Sequence, residues 1–167
     1  MSSLIKTTAG WLAAMLALVS LAMAEVKVGA PFPDLAGYGL EGTLPERSGK
    51  VVLVDFWATW CAPCKASFPV YSTLQRELAE RGFIIVAVSV DKQKGAYDEF
   101  VKKFAPPFPT VRDSGQKMVA EVRVPSMPTS YLIDRHGILR SIHSGFHGDA
   151  TARELRDEII KLLEEKL

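Results

Sequence analysis

Cysteine is scarce in this chain, with only two in 167 residues. That excludes a scaffold stapled by several disulfides and a zinc site built from four thiolates. Charge of one sign is missing too: twenty basic residues face nineteen acidic ones, and the formal net charge of +1 leaves no electrostatic footprint for nucleic acid or an anionic membrane surface. There is no Gly-rich phosphate loop, no Ser/His/Asp arrangement and no basic patch interleaved with aromatics. Internal repeats, low-complexity tracts and Gly/Ser linkers are also absent, so the length fits one domain. What is present is a composition of 48% hydrophobic, 23% charged and 9% aromatic residues, that of a globular chain able to bury a sizeable core.

The N-terminal segment has the parts of a secretory signal. A single charge, Lys6, precedes an uncharged stretch from Ala9 to Ala24, and Ala22-Met23-Ala24 has the small-x-small pattern a signal peptidase accepts. Cleavage after Ala24 is expected, with residues 1–24 as signal peptide and residues 25–167 as the folded domain. The alternative, a retained anchor, has sixteen uncharged residues where a spanning helix needs roughly 20. No cysteine lies near this site, which rules out lipid attachment through one. Loss of Lys6 with the leader would leave 143 residues carrying nineteen charges of each sign. Both cysteines would then enter an exported, periplasmic compartment that favours disulfides.

In the remainder, residues 25–50 are rich in Gly and Pro, which fits short edge strands and turns. Val51 to Trp57 is a near-continuous apolar run, the pattern of a strand buried on both faces, and Asp55 is the exception within it. Ala62 to Arg81 has helical spacing, with Pro69 inside. Phe83 to Val90 is a second buried strand, and the strand-helix-strand order implies parallel pairing by a right-handed crossover. A short helix is expected over Tyr97 to Phe104, and a hairpin from Ser130–Ile133 and Leu139–Phe146 around the turn Asp134 to Gly137. A closing helix starts at the capping box Thr151 to Glu154 and carries the stripe Leu155, Ile159, Leu162 and Leu163. These elements predict an α/β domain with a mixed sheet covered by helices.

Both cysteines sit in Trp60-Cys61-Ala62-Pro63-Cys64, between a buried strand and a helix start. Unpaired N–H groups and the helix dipole favour an anion there, so the first cysteine can be held as thiolate, the form that attacks disulfides. The helix terminus contributes at most about 2 kcal/mol, or roughly 1.5 pKa units, which makes Cys61 reactive without fixing how reactive. At this spacing Cys64 can attack a mixed disulfide formed at Cys61. As a staple, the bridge would close only four residues, worth about 2 kcal/mol in the chain-entropy model. As half of a metal site, the pair would need two more ligands, and the three histidines lie far off in sequence. Redox exchange is the reading the position favours. Asp55, an acid in an apolar strand, should have a raised pKa and so be placed to exchange a proton with the Cys64 thiol. The alternative is an acid that points to solvent at the strand end.

With these residues in view, the chain resembles the thioredoxin superfamily, and more closely its exported TlpA/ResA-like branch of thiol-disulfide oxidoreductases. The resemblance rests on Val54 to Lys65, on Pro69 five residues after Cys64, and on Met127 to Asp134, and it spans about Val28 to Leu163. It implies a thioredoxin fold with an N-terminal β extension and, over Asp91 to Val124, a helical insertion. It also implies that Cys61 attacks, that Cys64 is the buried resolving residue, and that Asp55 matches the family's buried acid. Pro128 matches the cis-proline that faces the pair and presents backbone to substrate, although Pro125 is a nearby alternative turn former. Trp60, Ala62, Pro63 and Met127 would form the substrate surface.

Two departures stand out. The branch places a glutamate three residues after the second cysteine, where this chain has Ser67, and the lysine that thioredoxin sets near its acid has no match in Phe83 to Val90. The expected partners are protein disulfide substrates, with apocytochrome c among those the resemblance implies, and a membrane thiol-disulfide electron donor. No prosthetic group is needed, and the mature form is expected to be a soluble monomer. The thioredoxin-like Pro63 before the second cysteine and the resemblance imply a reductant of disulfides in exported proteins. The motif alone does not set direction, since potentials in the superfamily span about −270 to about −120 mV. A disulfide oxidant or a metal-binding chaperone using Cys61 and Cys64 as ligands are the alternatives. A thiol peroxidase would need threonine three residues before its reactive cysteine, and that position is Ala58.

Overall fold

The computed structural model describes residues 26–166. The expected signal sequence and its cleavage point lie outside the described residues. The near-continuous apolar run forms β1 (Val51–Trp57), all seven of whose residues are buried. Such a run needs cover on both faces, and β1 accordingly lies at the centre of a five-stranded sheet of order β3-β2-β1-β4-β5. β2 (Phe83–Ser89) pairs parallel to β1, and β3 (Thr110–Arg112) pairs parallel to β2. On the other side β4 (Thr129–Ile133) and β5 (Leu139–Ser144) are antiparallel, joined by the expected turn, where Asp134 Oδ1 accepts from the N–H groups of His136 and Ile138. Gly137 closes that turn at φ +80°, a conformation that side chains with a Cβ rarely adopt.

Helices cover both faces. α1 (Ala62–Leu78) runs through Pro69, and its buried stripe of Cys64, Phe68, Tyr71, Leu74 and Leu78 faces the sheet. Trp57 of β1 packs against Phe68 of α1 and against Phe100 of α2 (Lys94–Phe104), with ring centroids 4.7 and 4.8 Å apart. On the opposite face Phe56 and Phe32 pack on Tyr131, and α3 (Lys117–Val122) buries Met118 and Val122. α4 (Asp149–Glu164) buries the predicted stripe of Leu155, Ile159, Leu162 and Leu163. Among the described residues no helix is long and apolar enough to cross a membrane.

Several expectations are amended. The N-terminal β extension is reduced to two isolated bridges, Pro31 with Ile138 and Glu41 with Arg112, because the Gly/Pro-rich segment turns too often to sustain a ladder. A short 3-10 turn, Leu35–Tyr38, occupies the space between them. The insertion contains β3 and α3 as well as the expected helix, and that helix starts at Lys94, three residues before Tyr97. α4 begins at Asp149 after Gly148 at φ +62°, so Thr151 is inside the helix and its hydroxyl accepts from the N–H of His147 instead of capping the start.

Candidate active site

The end of β1 and the start of α1 bring the cysteines together. Cys61 is the N-cap of α1, in extended conformation, with its sulfur accepting from the N–H of Cys64 at 3.2 Å. Pro63 is accommodated because the first turn of a helix has N–H groups without intrahelical partners. The two sulfurs form a disulfide with the Cα atoms 5.3 Å apart. Their exposures differ in the expected sense: Cys61 retains 5% and Cys64 none. Around them Ala62 and Pro63 are exposed, and Trp60 projects with 69% of its surface free. A cavity of about 560 Å³ opens beside the pair, between Thr59 and Lys65 on one side and Phe100, Lys103 and Phe104 of α2 on the other.

Asp55 does not point to solvent. It is fully buried, opposite Ala87 on β2 and Ser130 on β4, and it faces α1, whose Tyr71 lies two turns beyond Cys64 on the same stripe. Its Oδ1 accepts from Ser130 Oγ at 2.7 Å and from Tyr71 OH at 3.3 Å, and those two hydroxyls are 2.8 Å apart. Its Oδ2 is buried with no hydrogen-bond partner. Loss of hydration on burial pushes the Asp55 carboxyl up to about 7, against the smaller downward pull of the Ser130 and Tyr71 hydrogen bonds. Burial, and then the Asp55 charge, raises the Tyr71 phenol well above its ordinary value.

The Met127–Pro128 peptide bond is cis. Thr129 pairs with Phe56, so Pro128 enters β4 at the end of the sheet where β1 leads into the cysteine turn. Pro128 is buried, its carbonyl accepts from the N–H of Gly145 at 2.7 Å, and Met127 is half-buried beside it. Pro125 is exposed and plays no comparable part.

Other groups escaped sequence reasoning. Ser67, at the position of the branch's glutamate, is fully buried and donates to the carbonyl of Cys64 at 2.8 Å. Tyr71 reads as a core aromatic and Ser130 as a strand residue; the pairing of β1 with β4 brings Ser130 to Asp55, and the buried stripe of α1 brings Tyr71. Asp91, which follows the second buried strand, accepts from the backbone and hydroxyl of Thr59. His143 reads as a surface residue but is 9% exposed, with Nε2 2.9 Å from Glu158 of α4, whereas His147 is exposed. Among the described residues no group of three or more His, Cys, Asp or Glu side chains is placed to hold a metal.

Comparison with known proteins agrees with this geometry. The AhpC/TSA family matches residues 28–142. The thiol-disulfide oxidoreductase ResA of Bacillus thuringiensis (strain Al Hakam) is 31% identical over 141 residues, covering 83% of this chain and 80% of that protein. ResA of Geobacillus thermodenitrificans is 34% identical over 123 residues, 72% of this chain and 71% of its own. Among solved structures, a thiol:disulfide interchange protein DsbE from Chlorobium tepidum superposes with a TM-score of 0.77 at 33% identity, covering 83% of this chain and 99% of that one.

Proposed function

The chain belongs to the AhpC/TSA family of the thioredoxin superfamily, among thiol-disulfide oxidoreductases of the ResA type, and from that premise we propose that it reduces disulfides in exported proteins. The observation that carries the proposal is the Cys61–Cys64 disulfide at the N-terminus of α1, with a first cysteine that keeps 5% of its surface exposed and a second that is fully buried.

In the reduced protein the Cys61 thiolate attacks one sulfur of a substrate disulfide. A mixed disulfide forms, and the other substrate sulfur leaves as thiolate and takes up a proton. Asp55 accepts the proton of Cys64; a carboxyl titrating near 7 is matched to that task at neutral pH. The Cys64 thiolate attacks the Cys61 sulfur, the substrate's second thiol is released, and the pair ends as the intramolecular disulfide. Two electrons have passed to the substrate; its first thiolate takes a proton from solvent, and its second, on leaving Cys61, takes the proton that Asp55 accepted from Cys64. Pro128 presents backbone to the substrate chain, and Trp60, Ala62, Pro63 and Met127 form the surface against which it lies.

The leader-like segment before Glu25 supports a periplasmic location, with a membrane thiol-disulfide donor returning the pair to dithiol. Apocytochrome c is the substrate suggested by kinship with the ResA branch. The deciding measurement equilibrates the protein with glutathione buffers. A reductant should have a potential toward about −270 mV, and one near −120 mV would identify an oxidant instead. Tight stoichiometric copper or zinc binding without exchange activity would favour a metal chaperone.

A further inference from the structure

Asp91 belongs neither to the cysteine pair nor to the acid pocket, yet its side chain is committed to the turn that presents Cys61. It is 3% exposed. Oδ2 accepts from the N–H of Thr59 at 2.9 Å, Oδ1 accepts from the Thr59 hydroxyl at 2.8 Å, and Oδ2 also accepts from Ser89 Oγ at 2.8 Å. Hydrogen bonds to an ionised acceptor are the stronger kind, and a buried carboxylate with three donors is costly to disturb. The carboxylate is itself anchored. Arg112 donates to the carbonyls of Asp91 and Lys92 at 3.2 and 3.0 Å while pairing with Glu41, and Gln116 donates to the carbonyl of Val90 at 3.0 Å. On the cysteine side, Val90 N–H bonds the carbonyl of Trp57 and Cys61 N–H bonds that of Ala58. Among the described residues, Asp91 therefore supplies the side-chain hydrogen bonds that hold the middle of the turn, between Ala58 and the exposed Trp60.

We propose that Asp91, acting through Thr59, is a positioning residue that holds the 58–60 turn ready for disulfide closure and so sets the redox equilibrium of Cys61 and Cys64. The inference rests on the reading that the pair cycles between dithiol and disulfide. In the disulfide form the covalent bond restrains the turn as well. In the dithiol form only the noncovalent contacts do, and they keep Cys61 where Cys64 can reach it. A released turn gains freedom only when the cysteines are apart, which lowers the effective concentration of one sulfur at the other and favours the dithiol.

The test compares full-chain wild type, Asp91→Ala, Thr59→Ser and Asp113→Ala. Asp113 is a control: it is 1% exposed, and its carboxylate accepts from the N–H groups of Lys117 and Val119, within the insertion. Each protein is equilibrated with glutathione, and its thermal unfolding is followed in the oxidised and the reduced form. Asp91→Ala should lower the disulfide-forming equilibrium constant about tenfold, a potential about 30 mV less negative. Its oxidised form should lose more thermal stability than its reduced form. Thr59→Ser, which keeps both donors, should retain the wild-type potential, and Asp113→Ala should lower both melting temperatures without moving it. An Asp91→Ala protein with unchanged potential and equal losses in the two forms overturns the proposal. Should Asp91→Ala not fold, Thr59→Val, which removes only the hydroxyl, must shift the potential in the same direction by a smaller factor; no shift is equally fatal. If wild type never populates the disulfide at any glutathione ratio, the functional reading fails rather than the role of Asp91.

Discussion

Cys61 and Cys64 are three residues apart, and their surroundings have little in common. Cys61 stands at a helix N-terminus beside the exposed Trp60, on a turn held by the buried Asp91. Cys64 is sealed on the inner stripe of α1, the stripe that covers Asp55. The two acids differ as well. Both Asp91 oxygens accept hydrogen bonds from Thr59 or Ser89, whereas Asp55 has two hydroxyls on one oxygen and none on the other. Burial alone therefore does not decide what an acid is for. One surrounded by donors serves to hold backbone, and one starved of them is left with a raised affinity for a proton.

The largest effect expected from this contrast is loss of exchange. Cys61→Ser should reduce disulfide reductase turnover by roughly 1000-fold or more, because the attacking sulfur is gone. Cys64→Ser should still attack but be unable to resolve, and a mixed disulfide between Cys61 and substrate should accumulate in mass spectra of non-reduced samples. If the adduct instead forms on Cys64, the assignment of an outer and an inner cysteine is reversed.

Asp55→Asn should act next, and only on the inner half of the cycle. Resolution of a preformed mixed disulfide should slow by about 100-fold near pH 7. The deficit should shrink at low pH, where Asp55 is already protonated in wild type, and at high pH, where the Cys64 thiol ionises unaided. A rate deficit independent of pH would mean that Asp55 is only structural. The same substitution has a stability signature in the oxidised protein. Because the folded-state value is raised from 3.8 to about 7, the native state binds more protons than the unfolded state between those limits. Stability from this group is thus highest below about pH 4 and declines as pH rises toward 7, by on the order of 4 kcal/mol. Urea unfolding at pH 4 and pH 8 should show most of that decline in wild type and not in Asp55→Asn.

Much of this was open to sequence reasoning where the signal is local. The bounds of β1 are legible because seven consecutive residues are buried, and the cysteine motif announces its own strand-to-helix junction. The cis peptide at Pro128 followed from resemblance alone, since nothing local distinguishes it from Pro125. What stayed hidden depends on pairing between distant segments. Ser130 reaches Asp55 across 75 residues of chain and Asp91 reaches Thr59 across 32, and a serine or an aspartate at a strand end looks the same whether or not it meets a partner. β3 leaves no signal because three residues are too few for an alternating pattern, and the burial of His143 leaves none because it is due to α4 packing over β5. The N-terminal extension shrinks to two bridges, and the sequence does not show this because Gly and Pro mark turns without saying whether strands lie between them.

The smallest expected effect is the sharpest test of the contrast, because it removes one hydroxyl from each acid. Ser130→Ala deletes the 2.7 Å bond to Asp55 with the 2.8 Å bond to Tyr71, and Ser89→Ala deletes the 2.8 Å bond to the Asp91 carboxylate with the 3.1 Å bond accepted from the Asp91 N–H. Each should cost about 2 kcal/mol of stability, since two side-chain hydrogen bonds of about 1 kcal/mol are lost. In other respects they should part. The Ser130 bond lowers the Asp55 value, so its loss should move the Asp55 titration, followed by the carboxyl signal in NMR, to higher pH. Ser89→Ala should leave that titration where it is and barely change the potential of the pair, because both Thr59 contacts to Asp91 survive. If the two variants shift the Asp55 titration alike, the two acids sit in one continuous electrostatic environment, and the division between a proton-handling side and a loop-holding side disappears.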